Sequence, residues 1–510
     1  MKRKLSYLFV ILSPLLAGFI LALFTGTSIF KLDAWNTNMN DEVGYYRSVK
    51  TMKEIGLPAG NIGYNEVEAK YPAYGAYNYV TYLPYFFVSF ITGSLSHNYI
   101  VYINLLLAVL SNLFVVCLLK PTFREGLSIV IFTVTHMLIT RYVWSGMSEE
   151  STIFLTVVVA ACSVWQFRNL KSDSVIMERT VLIIQLLAIF IGTLIRPYML
   201  AYVFFTILYV CKASANLQRI MRLVFILVLS LGGIFLYFWM AENICVQFFS
   251  ANNLTDLIIL LKEKDLFGLF SKVITYNGDA CKIIWDKVLL CDWVGIIMLE
   301  VCLLVLIALF FCLKYRKDNQ EAAAYFLIYG IIVFLTYEAI TVLYSAVQLH
   351  RMILGCIVAG VFLYIFILPW KPMAIHELYL LCMLAFAQYT GGVFAGLSLP
   401  QKNEDICGDK DMEEKLASLM PRENDMWGNT LALPPLFSDA DMSILFAMPL
   451  HIALNTCTTD YLYQAIETDT LKSRYVLSSM DNTELIRLCQ ESYELIYNKD
   501  GYCIFERMAE

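Results

Sequence analysis

Two acidic pairs carry the first chemical signal in this chain. Asp41 and Glu42 fall in NMNDEVGYY, just past the first hydrophobic stretch, and Glu149 and Glu150 fall in MSEES between two later apolar runs. A carboxylate held at a membrane surface can serve as a general base, because nearby apolar surface raises its affinity for protons. The same residues also suit helix starts. Asn40 or Asp41 would cap a helix through EVGYYRSVKTMKEIG, ended by Gly56 and Pro58, and Ser148 would cap one opening at Glu149. At each site both readings stand, and two acidic turns at one membrane level favour a shared site.

Arginines give the second signal. Arg141, Arg196 and Arg351 each lie at the end of an apolar run, in RYVWSG, LIRPY and LHRM, with His350 beside the last. One such Arg reads as a side chain snorkelling to the lipid interface. Three together, with His350, suggest a basic pocket for an anionic headgroup, and a phosphate suits the guanidinium fork. The run YPAYGAYNYVTYLPYFF supplies Tyr71, Tyr74, Tyr77, Tyr79, Tyr82 and Tyr85. It reads as an interfacial aromatic belt or, with Tyr71 and Tyr74 foremost, as a surface for stacking on sugar rings. His136 reads as a packed or hydrogen-bonded residue. No CxxC pair or His cluster marks a zinc site. No cofactor is called for with certainty, although Asp41 and the outer carboxylates could hold a divalent cation such as Mg2+ or Mn2+.

The elements that must position these residues are membrane spans. The 510 residues are 59% hydrophobic and 16% charged, against about 25% charged in a soluble protein. That makes the chain a polytopic membrane protein, and nothing in it reads as a nucleic-acid footprint. Hydropathy places eleven spans near 6–28, 98–119, 127–144, 149–167, 180–195, 197–211, 223–241, 292–313, 323–345, 351–369 and 375–397. The N-terminal apolar run is too long for a signal-peptide core and lacks an A-x-A site, so it reads as a retained first span.

Basic clusters then set the sides. Lys2–Lys4, Lys120 with Arg124, Arg168 with Lys171 and Arg179, Lys212 with Arg219 and Arg222, Lys314 with Arg316 and Lys317, and Lys371 all share one side if the eleven spans alternate from a cytoplasmic N-terminus. The segment 79–93 is then a surface or re-entrant helix rather than a span. The outer face, in a cytoplasmic (plasma) membrane, receives a first loop at about 31–97, a second long loop at about 242–291 and a polar tail.

The chain thus divides into a membrane domain, 1–398, and an extracytoplasmic C-terminal domain, 399–510. In the tail MEEKLASLM reads as a helix, SRYVLSSM as a strand and YELIYNKDGYCIFER as a hairpin turning at Asn498–Gly501. Cys407, Cys457, Cys489 and Cys503 there read equally as one or two disulfides or as free thiols. The fold class is an all-α polytopic bundle with outer loops carrying juxtamembrane helices and a small α+β outer domain.

The order of these features resembles the GT-C superfamily of integral membrane glycosyltransferases, above all the relatives of protein O-mannosyltransferases and lipid A aminoarabinose transferases. The resemblance lies in NDEVGYY after the first span, the Tyr/Pro-rich YPAYGAYNYVTYLPYFF, the outer SEE turn, the Arg-Pro step of LIRPY, the late Arg of LHRM and an outer C-terminal domain. Relatives often show a His-Pro-Pro-Leu-like element where this chain has Tyr71-Pro72 and Leu83-Pro84. The resemblance implies transfer of a sugar from a polyprenyl-phosphate carrier to a glycan, lipid or protein acceptor. It implies Asp41 as the base, with Glu42 beside it, Glu149 or Glu150 as the second outer acid, and Arg196 and Arg351 at the donor phosphate.

Other functions fit a bundle of this size. An outer-face polymerase or ligase of lipid-linked glycans would use a similar bundle. A transporter or flippase would place charged residues or broken helices at mid-bilayer, where Glu300 and Glu338 are the exceptions in otherwise uncharged spans. Glu300 there marks a functional or tightly paired site. Eleven spans make a mere membrane anchor uneconomical.

Overall fold

Pro14 sits inside the first helix, α1 (Lys2–Thr25). Its ring has no N–H, so the Val10 carbonyl loses its helical donor. Asn112 Nδ2 and Ser13 Oγ donate to that carbonyl instead, each at 2.9 Å, and Trp144 Nε1 donates to the Pro14 carbonyl at 3.1 Å. Hydrocarbon offers no water to replace a missing donor, so these bonds fix α1 against α4 (His97–Leu119) and against the turn at Trp144. Gly18 makes room for that turn: a Cβ there would lie 2.0 Å from the Trp144 ring.

This computed structural model describes residues 2–25, 40–54, 63–66, 79–92, 97–170, 174–213, 216–244, 252–290, 292–343, 349–368, 410–434, 444–445, 447–499 and 501–508. Between α1 and α4 come α2 (Asn40–Glu54), the two-residue strand β1 (Gly63–Tyr64) and α3 (Tyr79–Thr92). The bundle continues with α5 (Phe123–Thr135), α6 (Met137–Val143), α7 (Glu149–Arg168), α8 (Val175–Ile195), α9 (Val203–Ala213) and α10 (Asn216–Asn243). It is completed by α11 (Asn252–Lys262), α12 (Leu266–Leu289), α13 (Trp293–Tyr315), α14 (Gln320–Leu343), α15 (Leu349–Met352) and α16 (Leu354–Ile367). α7 and α16 pack on each other and are apolar and buried on nearly every face, which places them at the centre.

Among the described residues seven helices are long and apolar enough to cross a membrane. They are Ile100–Leu119, Glu149–Arg168, Val175–Ile195, Asn216–Asn243, Val294–Tyr315, Gln320–Leu343 and Leu349–Ile367. The chain is a multi-pass membrane protein. The expected count of eleven is not reached by unbroken helices, and the reasons are local. The first span is α1, whose side chains beyond Ile20 lie outside the described residues. The third parts at His136, whose ring caps α6 by accepting from the Ile139 N–H at 3.3 Å. The sixth opens as a 3-10 turn, Pro197–Tyr202, before α9. The eleventh, 375–397, lies outside the described residues.

The segment expected as a second long loop holds two helices. α12 packs against α13 and α14, and Asn277 Nδ2 donates to Glu338 Oε2 at 3.0 Å. Its Phe267, Phe270, Ile274 and Trp285 remain exposed along one arc, as in a helix lying at a membrane interface.

The tail forms a six-stranded sheet with α17 (Lys410–Leu419), α18 (Thr459–Glu467) and α19 (Thr483–Ser492). Its strands are β2 (Thr430–Leu433), β3 (Ala453–Thr456), β4 (Tyr475–Ser479), β5 (Tyr493–Lys499) and β6 (Tyr502–Arg507), in the order β1-β3-β2-β4-β6-β5. The expected helix, strand and hairpin are present, and Gly501 supplies the positive φ of the hairpin turn. Cys457, Cys489 and Cys503 are free thiols. The first strand comes from the first loop: Gly63 and Tyr64 pair in parallel with Asn455 and Thr456.

Candidate functional site

The MSEES turn opens α7 deep in the protein. Ser148 occupies the cap position but makes no side-chain cap bond, and Glu149 and Glu150 are both buried. Helix capping therefore does not account for this acidic pair. Glu149 Oε1 accepts from Arg196 Nη2 at 3.2 Å and lies 3.6 Å from Arg351 Nε. Three apolar segments thus bring their ionic groups to one point.

Each arginine arrives for a local reason. Pro197 disfavours helix at the preceding residue, so Arg196 takes an extended conformation (φ −143°, ψ 111°) and ends α8. Its side chain is 1% exposed, which overturns the snorkelling reading for this residue. Arg351 belongs to α15, a single turn ahead of α16, with buried His350 beside it.

A second set of bonds fixes the turn that leads into Glu149. Asn104 Nδ2 donates to the Ser145 and Met147 carbonyls at 2.7 and 2.8 Å. The Tyr85 hydroxyl donates to Asn104 Oδ1 at 2.7 Å and lies within electrostatic reach of Glu150 and Glu149. Tyr82 and Tyr85 are almost wholly buried, so the aromatic-belt reading fails for both. They pack where α3 meets α2 and α4.

Five polar atoms at this turn are buried without a hydrogen-bond partner among the described residues: Ser148 Oγ, Glu149 Oε2, Glu150 Oε2, Ser151 Oγ and Thr152 Oγ1. One such atom costs roughly 1–3 kcal/mol, and buried polar groups are paired in the great majority of cases. Five at the start of one helix mark a place built to receive polar groups from elsewhere.

The other expected site residues stand as follows. Asp41 and Glu42 lie in the first turn of α2, as the sequence suggests, and their side chains lie outside the described residues. Arg141 is on α6, its side chain likewise outside. Tyr71 and Tyr74 lie outside the described residues altogether. Sequence reasoning missed Asn104 and Thr152. The signal for Asn104 was an amide inside the apolar run YINLLLAVL, which must find partners in hydrocarbon.

His136 and Glu300 form a second buried ionisable pair, with Nε2 3.2 Å from Oε2. Because Nδ1 accepts from Ile139, Nε2 carries the proton and donates to Glu300. Glu300 is therefore a tightly paired site and His136 a hydrogen-bonded one. No three ligating side chains converge to hold a metal among the described residues, and Glu149 already faces two guanidinium groups. The described donors do not by themselves fit a divalent cation.

No protein-family model and no curated protein matches the sequence. The structure is similar to the crystal structure of ArnT from Cupriavidus metallidurans bound to undecaprenyl phosphate, with TM-score 0.50 and 12% identity, over 98% of each chain. It is also similar to the oligosaccharyltransferase of Archaeoglobus fulgidus tethered with an acceptor peptide, with TM-score 0.43 and 12% identity, over 98% of this chain and 74% of that one. At such identity the likeness to ArnT is one of fold, and it covers nearly the whole chain: this protein is a polytopic helical bundle of that fold with a small C-terminal sheet domain.

Proposed function

We propose that the chain is a membrane glycosyltransferase that moves a hexosyl or pentosyl unit from a polyprenyl-phosphate-linked donor to an acceptor hydroxyl at the outer face of the cytoplasmic membrane. The observation that carries this reading is the meeting of Glu149 with Arg196 and Arg351 beside five unpaired buried polar atoms. ArnT, the structure of like fold, has undecaprenyl phosphate bound, which supports a lipid donor here.

The chemistry follows from the residue types. The donor phosphate is an anion and approaches Arg351, the less buried of the two guanidinium groups. Glu149 lies against both arginines, which favours one orientation of their forks before the lipid arrives. Asp41 takes the proton of the acceptor hydroxyl. The acceptor oxygen attacks the anomeric carbon, the bond from that carbon to the phosphate oxygen breaks, and its electron pair leaves with the polyprenyl phosphate. Arg351 and Arg196 balance the charge growing on that leaving group. A single displacement inverts the anomeric centre. If a divalent cation takes part, Asp41 would have to join Glu149 Oε2 or Glu150 Oε2 in holding it.

The test is transfer of labelled sugar from a polyprenyl-phosphate sugar in membranes containing the protein. The expected result is transfer by the wild type and none by Asp41→Asn at unchanged donor binding. Wild-type-like transfer by Asp41→Asn removes that residue from the reaction, and no transfer by the wild type from a panel of hexosyl and pentosyl donors refutes the function. An outer-face polymerase or ligase would instead consume a lipid-linked oligosaccharide in the same assay.

A further inference from the structure

Arg47, in the middle of α2, is 4% exposed and directs four hydrogen bonds at one short stretch of the tail. Nη1 donates to the carbonyls of Leu445 and Met448 at 3.2 and 2.7 Å, and Nη2 to those of Pro449 and Ile452 at 3.0 and 2.7 Å. Four carbonyls from a stretch of eight residues thus close on one guanidinium group. Burial pulls its pKa down to about 10, with Tyr46 and Glu413 opposing the shift, so it stays a cation at neutral pH.

Glu66 makes the reciprocal bond beyond β1. Its carboxylate accepts from the Ser473 N–H at 2.7 Å, the Ser473 hydroxyl at 2.6 Å and the Lys472 N–H at 2.9 Å. Glu66 holds a left-handed backbone conformation, φ +56°, which a non-glycine residue adopts at a cost that these bonds offset. Lys50 adds an ion pair to Glu413 at 3.3 Å. The first loop is therefore fastened to the C-terminal domain at both its helix and its strand.

The other face of α2 leads to the acidic turn. Tyr45 packs on Tyr82 with ring centroids 5.9 Å apart. Tyr82 is on α3, one turn before Tyr85, and Tyr85 holds Asn104, which holds the Ser145 and Met147 carbonyls just ahead of Glu149. We propose that Arg47 and Glu66 are positioning residues through which the C-terminal domain sets α2, and with it Asp41, over the Glu149–Arg196–Arg351 site. The tail is then part of the reaction's machinery rather than a cover or a separate acceptor module. This inference rests on the glycosyl-transfer reading for its effect on rate, but not for its effect on structure.

The test uses the full chain in nanodiscs, with Arg47→Met, Arg47→Lys and Glu66→Gln. Amide exchange over 40–54 reads the seating of α2, and transfer assays with donor-lipid binding read its consequence. The expected result for Arg47→Met is loss of protection in 40–54 with the spans unchanged. It also shows kcat lowered about 100-fold, the loss that a misplacement near 1 Å can cause, at a donor affinity within about twofold of wild type. Arg47→Lys recovers part of both. Glu66→Gln, which keeps the side-chain volume, loosens 63–66 and lowers kcat in the same sense, and it carries the test if Arg47→Met fails to accumulate. Unchanged exchange over 40–54 in Arg47→Met, or kcat and donor affinity falling in equal proportion, overturns the proposal. If the wild type transfers no sugar, the functional reading fails while the exchange result still decides the docking.

Discussion

Arg196 and Glu149 meet 3.2 Å apart with both side chains almost wholly removed from solvent. Two charges taken out of water at the end of an apolar bundle hold only as a pair. Removing Arg196 leaves the buried Glu149 with only the more distant Arg351, and breaking a buried pair costs about 3–5 kcal/mol. Arg196→Met is therefore expected to lower unfolding stability by that order, and Arg196→Met with Glu149→Gln to recover most of it. Denaturant unfolding in detergent, analysed as a double-mutant cycle, measures the coupling. Additive losses would mean that the two side chains do not depend on each other.

Arg351 is less buried than Arg196 and farther from Glu149, so its larger effect is expected on donor binding rather than on stability. Hydrogen bonds to a charged group contribute about 1.5–3 kcal/mol. Arg351→Ala should then weaken binding of polyprenyl phosphate by about 10- to 100-fold, with Arg351→Lys intermediate because Lys offers no bidentate fork. Titration of purified protein with the lipid phosphate reads this directly, and an unchanged affinity returns Arg351 to the lipid interface.

The His136–Glu300 pair lies inside the bundle at the break between α5 and α6. His136→Phe removes both the donor to Glu300 and the cap on the Ile139 N–H. It is expected to destabilise the protein by about 3 kcal/mol or more, while Glu300→Gln, which keeps one amide oxygen to accept from the His136 N–H, costs less. Thermal transitions like the wild type's in both variants would show that the pair contributes little.

Burial holds the His451 imidazole below its ordinary value of about 6.5, and the neighbouring Arg422 and Arg47 cations add to that, while donation to the Met420 carbonyl at 2.8 Å opposes it. A histidine depressed in the folded state binds a proton more readily once unfolded. Its contribution is therefore complete above about pH 6.5 and declines as pH falls towards the folded-state value. The C-terminal domain is expected to lose a little stability as pH falls below about 6.5, the half-exposed imidazole being partly screened by solvent. His451→Gln keeps a donor for Met420 and should flatten that decline. Exchange protection of the sheet at pH 7 and pH 5 compares the two, and identical declines would assign the acid sensitivity to other groups.

Much of the scaffold was legible because hydrocarbon imposes simple rules. Long apolar runs give helices, and the Gly501 turn between two alternating runs gives the hairpin of β5 and β6. The breaks were harder to read. Periodicity carries 127–144 straight through His136, because an imidazole acting as a cap looks the same in sequence as one inside a helix. Arg196 was legible as unusual, yet nothing local says whether an arginine at the end of a span turns to the interface or to a carboxylate 47 residues away.

By itself the sequence determined a multi-span bundle, the helix that starts near Asn40, the acidic turn at Glu149 and the elements of a small α+β tail. Each follows from local propensity or from the hydropathy of a short window. Only the tertiary structure decided that Glu149 meets Arg196 and Arg351, and that Tyr85 and Asn104 are internal. It alone shows that the first loop lends the tail a strand and is locked there by Arg47 and Glu66. Those relationships join residues up to about four hundred positions apart. They arise because buried charges and backbone groups must find partners wherever the packed chain provides them, and local sequence carries no record of that choice.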